Sequence, residues 1–256
     1  MFRLITFTLK MALRLRLLML AFAAGMGVAY LQQLWSQRSS WGLVPGGAER
    51  ALPGDELVAA ADISETRAIE IEAPAEAVWP WLRQLGYGRG GWYSFAALDR
   101  AWSPAGGAPG RSAERVLDEF QELAEGDIVP TFGGGGLVVR ELDPERALVL
   151  YLDDTLAREQ LEAWAAEAAD EAAAAKADVD MPPYAVSWAF VLEDLPAGRS
   201  RLIERMRFRT DVRSEVPRRA MPLLGLGLFA VMRSQMLGIK RRVEAVSPRT
   251  DRSATD

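Results

Sequence analysis

Apolar and polar side chains alternate over residues 66–73, with Ile69 and Ile71 on one side and Glu70 and Glu72 on the other. A period of two predicts a half-buried strand. The period then lengthens. Ala75, Val78, Trp79, Leu82 and Leu85 recur at helical spacing behind Pro74, whose missing N–H is harmless at a helix start. Pro80 within this run predicts a kink or a tightened turn. Gly86 is a helix stop able to adopt the left-handed conformation, and Ser94 can cap a second short helix, SFAALDRAW. DIVPTF, GLVVREL and ALVLYL read as short strands, the first two joined as a hairpin by the glycines at 133–136. The best strand pair is YAVSWAFVLEDL and SRLIERMRFRT, linked by PAGR. Tyr184, Val186, Trp188 and Phe190 share one face of the first strand, and Leu202, Glu204, Met206 and Phe208 share one face of the second. Arg201, Ile203, Arg205, Arg207 and Arg209 fall on the opposite face of that second strand. The closing run PRRAMPLLGLGLFAVMRSQMLGIKRRVEAV is a long apolar helix with a basic end, where cations suit the helix dipole.

Three segments lie outside this pattern. Residues 17–31 are uncharged and mostly apolar behind a basic flank, and the stretch reaches Trp35. A spanning helix needs about 20 residues, so 1–35 reads as a basic flank and membrane anchor. The competing reading is a cleaved signal peptide, but the small-x-small motif at 21–23 lies too early for cleavage. Tyr30 and Trp35 suit the membrane interface, and the positive flank places the N-terminus inside and the body on the outer face. Residues 36–64 are rich in turn formers and read as a linker, folding in part onto the body. Residues 155–178 are an alanine-rich helical insert, with Leu156, Leu161 and Trp164 on one side and few large apolar residues behind them. The insert is expected to project from the body. The final residues, 247–256, read as a disordered tail.

Composition narrows the chemistry. The chain has no cysteine and no histidine, which removes disulfides, thiolate sites, Ser-His-Asp triads and imidazole zinc sites. Any catalysis would fall to Asp, Glu, Lys, Tyr or Arg, and no residue pattern calls for a cofactor or a metal. The adjacent Asp153 and Asp154 lack the further spaced oxygens of a calcium loop. Four of the 30 basic residues lie in the first sixteen positions without an acid, leaving 26 against 35 acids elsewhere, about −9. An acidic body argues against nucleic acid as a partner.

GYGRGGWYS, residues 86–94, has the G-x-G-x-x-G spacing of a dinucleotide loop. That motif binds pyrophosphate only when a strand enters it and a helix leaves it. Here a helix enters, so the glycines are read as a sharp turn.

The words APAEAVWPWLRQLGYGRGGWYSFAALDR, EFQELAEGD, SWAFVLE, RLIERMR and MLGIKRRVEA resemble the SRPBCC superfamily, the group of START, polyketide-cyclase and pollen-allergen proteins, in its bacterial membrane-associated branch. The resemblance covers roughly residues 65–246. It implies an α+β helix-grip fold, a curved antiparallel sheet around the long C-terminal helix, preceded here by one N-terminal transmembrane helix. It also implies a cavity for an apolar ligand and does not imply one reaction. Trp188, Phe190, Met206, Phe208, Leu228 and Met232 are the bulky inward candidates, each of which ordinary core packing would also explain. Glu204 sits among apolar neighbours, so it is paired with an arginine, exposed at the cavity mouth, or functional. Trp92 and Tyr93 are expected at the entrance. Arg89 is expected to pair with Asp99 or to meet an anionic head group. The leading expectation is a membrane-tethered binder or carrier of a lipid or other apolar small molecule. The alternatives are a cyclase- or dehydratase-like enzyme using Tyr93, Glu204 and Arg89, and a protein-interaction module.

Overall fold

The computed structural model describes residues 41–94, 112–131, 135–168, 183–211 and 215–247, with Arg16, Met19 and Gly25 to Gly27 further upstream. Those five upstream residues are helical. The expected anchor otherwise lies outside the described residues, as do the second short helix beyond Ser94, Asp99, the rear of the insert and the tail from 248. Among the described residues no helix is long and apolar enough to cross a membrane.

The body is α+β, a six-stranded antiparallel sheet with a long C-terminal helix. Strand β1 (Ile63–Ile71) is followed by helix α1 (Ala75–Arg83), then by β2 (Ile128–Pro130), β3 (Gly136–Asp143) and β4 (Ala147–Asp153). Helix α2 (Asp154–Ala168) leads to β5 (Tyr184–Leu195), β6 (Arg199–Thr210) and helix α3 (Glu215–Val246). The strands lie in the order β1-β6-β5-β4-β3-β2, so the first strand of the chain closes the sheet beside the last. Helix α3 lies against β1 and α1. Its buried face is Phe229, Met232, Met236, Ile239 and Val243, recurring at three and four residues. Helix α1 continues through Pro80 and buries Ala75, Val78, Trp79, Trp81 and Leu82. Burial of each such large side chain contributes roughly 1.5–3 kcal/mol.

Register fixes what each face of the sheet carries. Arg67, Glu204, Phe190 and Leu148 lie side by side across β1, β6, β5 and β4. Glu65, Met206, Trp188 and Leu150 form the next row on the same face. This is the inner face, whose large apolar residues join those of α1 and α3 in the main core.

On the outer face lies part of residues 36–64, the stretch read as a linker that folds in part onto the body. From Trp41 onward this stretch is a strap laid on the sheet, and the compact unit of the body begins at Ser40. Leu52 packs with Ala68 and Ile203 in a second small core, flanked by Leu43 and Val191. The physical reason is the arginine column. Arg205 donates to Thr66 Oγ1, to the carbonyls of Ala48 and Arg50, and to Asp55. Arg207 donates to the carbonyls of Val58 and Ala59. Irregular backbone supplies these acceptors, so a segment without periodicity still has a fixed place.

The front of the insert, which is expected to project from the body, is tied to the sheet near its base. Gln160 on α2 accepts from Gly136 N at 2.8 Å and donates to Gly136 O at 3.1 Å, tying the helix to the start of β3. Leu156 and Leu161 are half-buried, whereas Trp164 is 40% exposed. The neighbouring aspartates serve the fold: Asp153 Oδ1 caps α2 at Leu156 N, and Asp154 accepts from Tyr184 N.

Candidate functional site

The glycine-rich loop after α1 is a tight reversal. Gly86 and Gly91 exchange backbone hydrogen bonds, and both have positive φ (119° and 83°). A side chain at Gly91 would also press on Ser112. Only glycine meets both demands. The reversal delivers Trp92 and Tyr93 to the interior, where they are 6% and 2% exposed, so neither stands at an entrance.

Tyr93 is held from all sides. Its hydroxyl accepts from Gln84 Nε2 at 2.7 Å, its ring meets Trp81 edge-on, and the Arg242 guanidinium lies over it. Burial pushes the phenol well above its usual range, with the Gln84 hydrogen bond and Arg242 opposing. Gly238 on α3 is the counterpart, because a Cβ there would overlap the Tyr93 carbonyl oxygen. Gln84 also accepts from Leu117 N and donates to Arg115 O, so one buried amide fastens three segments.

Arg89 is committed elsewhere. It donates to the carbonyls of Leu85, Arg83 and Phe120 and covers the Phe120 ring. Asp99, its expected partner, lies outside the described residues.

Of the remaining candidates, Trp188, Phe190, Glu204, Met206 and Phe208 share the inner face of the sheet by register, and Leu228 and Met232 lie on α3. Trp92 stacks on Trp188 with ring centroids 5.1 Å apart and planes 3° from parallel, and Trp188 in turn contacts Phe190 at 5.3 Å. Trp188 Nε1 donates to Glu204 Oε1 at 2.7 Å. Glu204 is fully buried, and its carboxyl is pushed up to about 8. Desolvation raises it and outweighs the Trp188 hydrogen bond and the Arg67 charge, which lower it. At neutral pH the group is therefore mostly an uncharged acid. Its second oxygen, Oε2, has no hydrogen-bond partner among the described residues, and neither has Trp92 Nε1. Met232 is buried, while Met206, Phe208 and Leu228 are half-buried.

Sequence reasoning missed Arg67, although it shares the parity of Ile69 and Ile71 on β1. It is fully buried beside Glu204, donates to Glu65 at 2.8 Å, and lies over the Phe229 ring. The missed signal was an arginine on the apolar side of an alternating strand. Gln235 on α3 was also missed. It is 1% exposed with neither amide atom partnered among the described residues.

No protein-family model matches the chain. No curated protein matches it either. Among solved structures it is similar to MLL2253 of Mesorhizobium loti, at 17% identity, 72% of this chain, 99% of that chain and a TM-score of 0.35. A hypothetical protein of Helicobacter pylori is similar at 13% identity, 75% and 94% coverage and a TM-score of 0.40. CalU16 of Micromonospora echinospora is similar at 17% identity, 71% and 84% coverage and a TM-score of 0.27. At such scores these likenesses support no step about function.

Proposed function

We propose that this protein is a membrane-tethered helix-grip protein of the SRPBCC superfamily. It binds or carries a lipid or other apolar small molecule between its sheet and the C-terminal helix. The observation that carries this reading is Glu204, a fully buried acid with one oxygen unpartnered among the described residues, beside the stacked Trp92 and Trp188 rings and the tilted ring of Phe190. Buried polar atoms are nearly always paired, and an unpaired one beside apolar rings is a place for a ligand atom. The element order supports the superfamily, with strand, helix, antiparallel strands and a long final helix. The apolar run at 17–31 supports the tether, which would keep the site near the bilayer that supplies such a ligand.

The enzyme reading has less behind it. Tyr93 is bonded to Gln84, Arg89 to three backbone carbonyls and Glu204 to Trp188, so the three residues it needs have separate partners. The test is native mass spectrometry of the full-length chain extracted from membranes. A retained small molecule, lost in Trp188→Ala, is expected. A protein that carries none and takes up none from added membrane lipids contradicts the reading.

A further inference from the structure

On the inner face, Trp92 Nε1 and Glu204 Oε2 have no hydrogen-bond partner among the described residues, and one run of contacts joins the two side chains, from Trp92 through Trp188 to Glu204. Their hydrogen-bonding sense follows from chemistry. An indole N–H can only donate, so Trp188 fixes Oε1 of Glu204 as an acceptor. The proton of the uncharged carboxyl then resides on Oε2, the oxygen without a partner among the described residues. Trp92 Nε1 is likewise only a donor, and it too is unpartnered there. This group of side chains thus offers two donors and flat apolar rings, inside a region where Glu204 has no exposed surface.

We infer that this group reads a hydrogen-bond acceptor, and that its ligand is an uncharged apolar molecule bearing a carbonyl oxygen. A carbonyl has two lone pairs and no proton, which suits two donors. A hydroxyl brings a proton that needs a further acceptor. A carboxylate brings a charge whose burial is costly, and the nearby Arg67 is already engaged with Glu65 and Met232. The inference rests on the apolar-binder reading and adds the ligand's polar group to it.

The test compares three probes of one shape: 2-acetylnaphthalene, 2-ethylnaphthalene and 2-naphthoate. Binding to the full-length chain in lipid nanodiscs is measured by titration calorimetry, with empty discs subtracted. The ketone should bind about tenfold tighter than the hydrocarbon, the size of one good hydrogen bond. Arg67 is the charge that acts on Glu204, and the ketone preference should fade as pH rises through about 8 and the acid loses its proton. Glu204→Gln places an amide N–H where Oε2–H stood, so it should keep the preference and lose its pH dependence. A role confined to packing would not produce that pattern. Trp92→Phe should reduce the preference at every pH. Equal binding of ketone and hydrocarbon overturns the inference and leaves the binder reading standing. Tightest binding of naphthoate overturns it in favour of an anion site. Failure of all three probes to bind also overturns the inference, whereas the binder reading falls only if the chain takes up none of the added membrane lipids either.

Discussion

Glu204 and Arg205 are consecutive residues on β6, and the sheet buries both, on opposite faces. Arg205, on the outer face, is met by Thr66, Asp55 and two strap carbonyls, so its guanidinium is surrounded by acceptors. Glu204, on the inner face, receives one indole N–H and keeps an oxygen unpartnered among the described residues. A saturated polar group holds a scaffold together, whereas an unsaturated one reduces stability and persists where it has another use. The two faces therefore differ in saturation: the outer one holds the strap through satisfied arginines, and the inner one keeps a half-satisfied acid, which is where the proposed ligand site lies.

The largest effect is expected at Arg205. Arg205→Ala should cost about 3–5 kcal/mol in urea unfolding, because it removes the nearer of the two cations of Asp55, leaving Arg207 at 3.6 Å, and takes the donor from the carbonyls of Ala48 and Arg50. Limited proteolysis should then open the strap within residues 41–62 before the sheet. A loss under about 1 kcal/mol would make the pair no better than a surface ion pair and remove the contrast between the faces.

Gly238→Ala sharpens the inner side. The added methyl overlaps the Tyr93 carbonyl and must push the Trp92–Tyr93 segment away from α3, at a cost of about 1–3 kcal/mol in thermal melts. If the proposed binding function holds, weakened retention of the ligand should accompany it. An unchanged melt would show that α3 does not fix this segment.

The smallest effect belongs to the insert. Deleting 166–180 and closing the gap with a short flexible turn should change stability by about 0.6 kcal/mol, since loop-closure entropy varies slowly with length. Deleting from 155 should cost more, about 1 kcal/mol for each hydrogen bond that Gln160 makes to Gly136. Equal outcomes for the two deletions would mean that α2 is not anchored.

Legibility followed periodicity. The β5–β6 pair and α3 were readable because alternation and helical spacing run through them, and β5 spans Tyr184–Leu195 as its pattern predicts. Helix α1 was readable despite Pro80 because its apolar positions are so regular. The strap was not, since its place depends on carbonyls that any sequence carries, accepting from arginines about 150 positions away. The inward positions of Glu204 and Trp188 followed from strand parity, but their hydrogen bond depends on a diagonal between neighbouring strands that only register reveals. Arg67 is legible in principle, since it shares the parity of Ile69 and Ile71 on β1, but its burial depends on the pairing with Glu204 across β6, which only register reveals. The burial of Tyr93 and the commitment of Arg89 depend on how one loop folds back beneath α3, which no local pattern encodes.

The inner face keeps an uncharged, half-satisfied acid at some expense in stability. The most direct measurement is the melting temperature of wild type and Glu204→Gln from pH 4 to 9. Below pH 4.5 the wild-type carboxyl is protonated in both folded and unfolded chains. Between 4.5 and about 8 the unfolded chain loses that proton and the folded chain keeps it, so wild-type stability falls as pH rises through this window. The glutamine does not titrate. Its advantage over wild type should therefore grow across the same window and level off above about 8. A difference that stays flat, or that turns against the glutamine as pH rises, would mean that Glu204 is a charged and satisfied group, and the division between the two faces would be wrong.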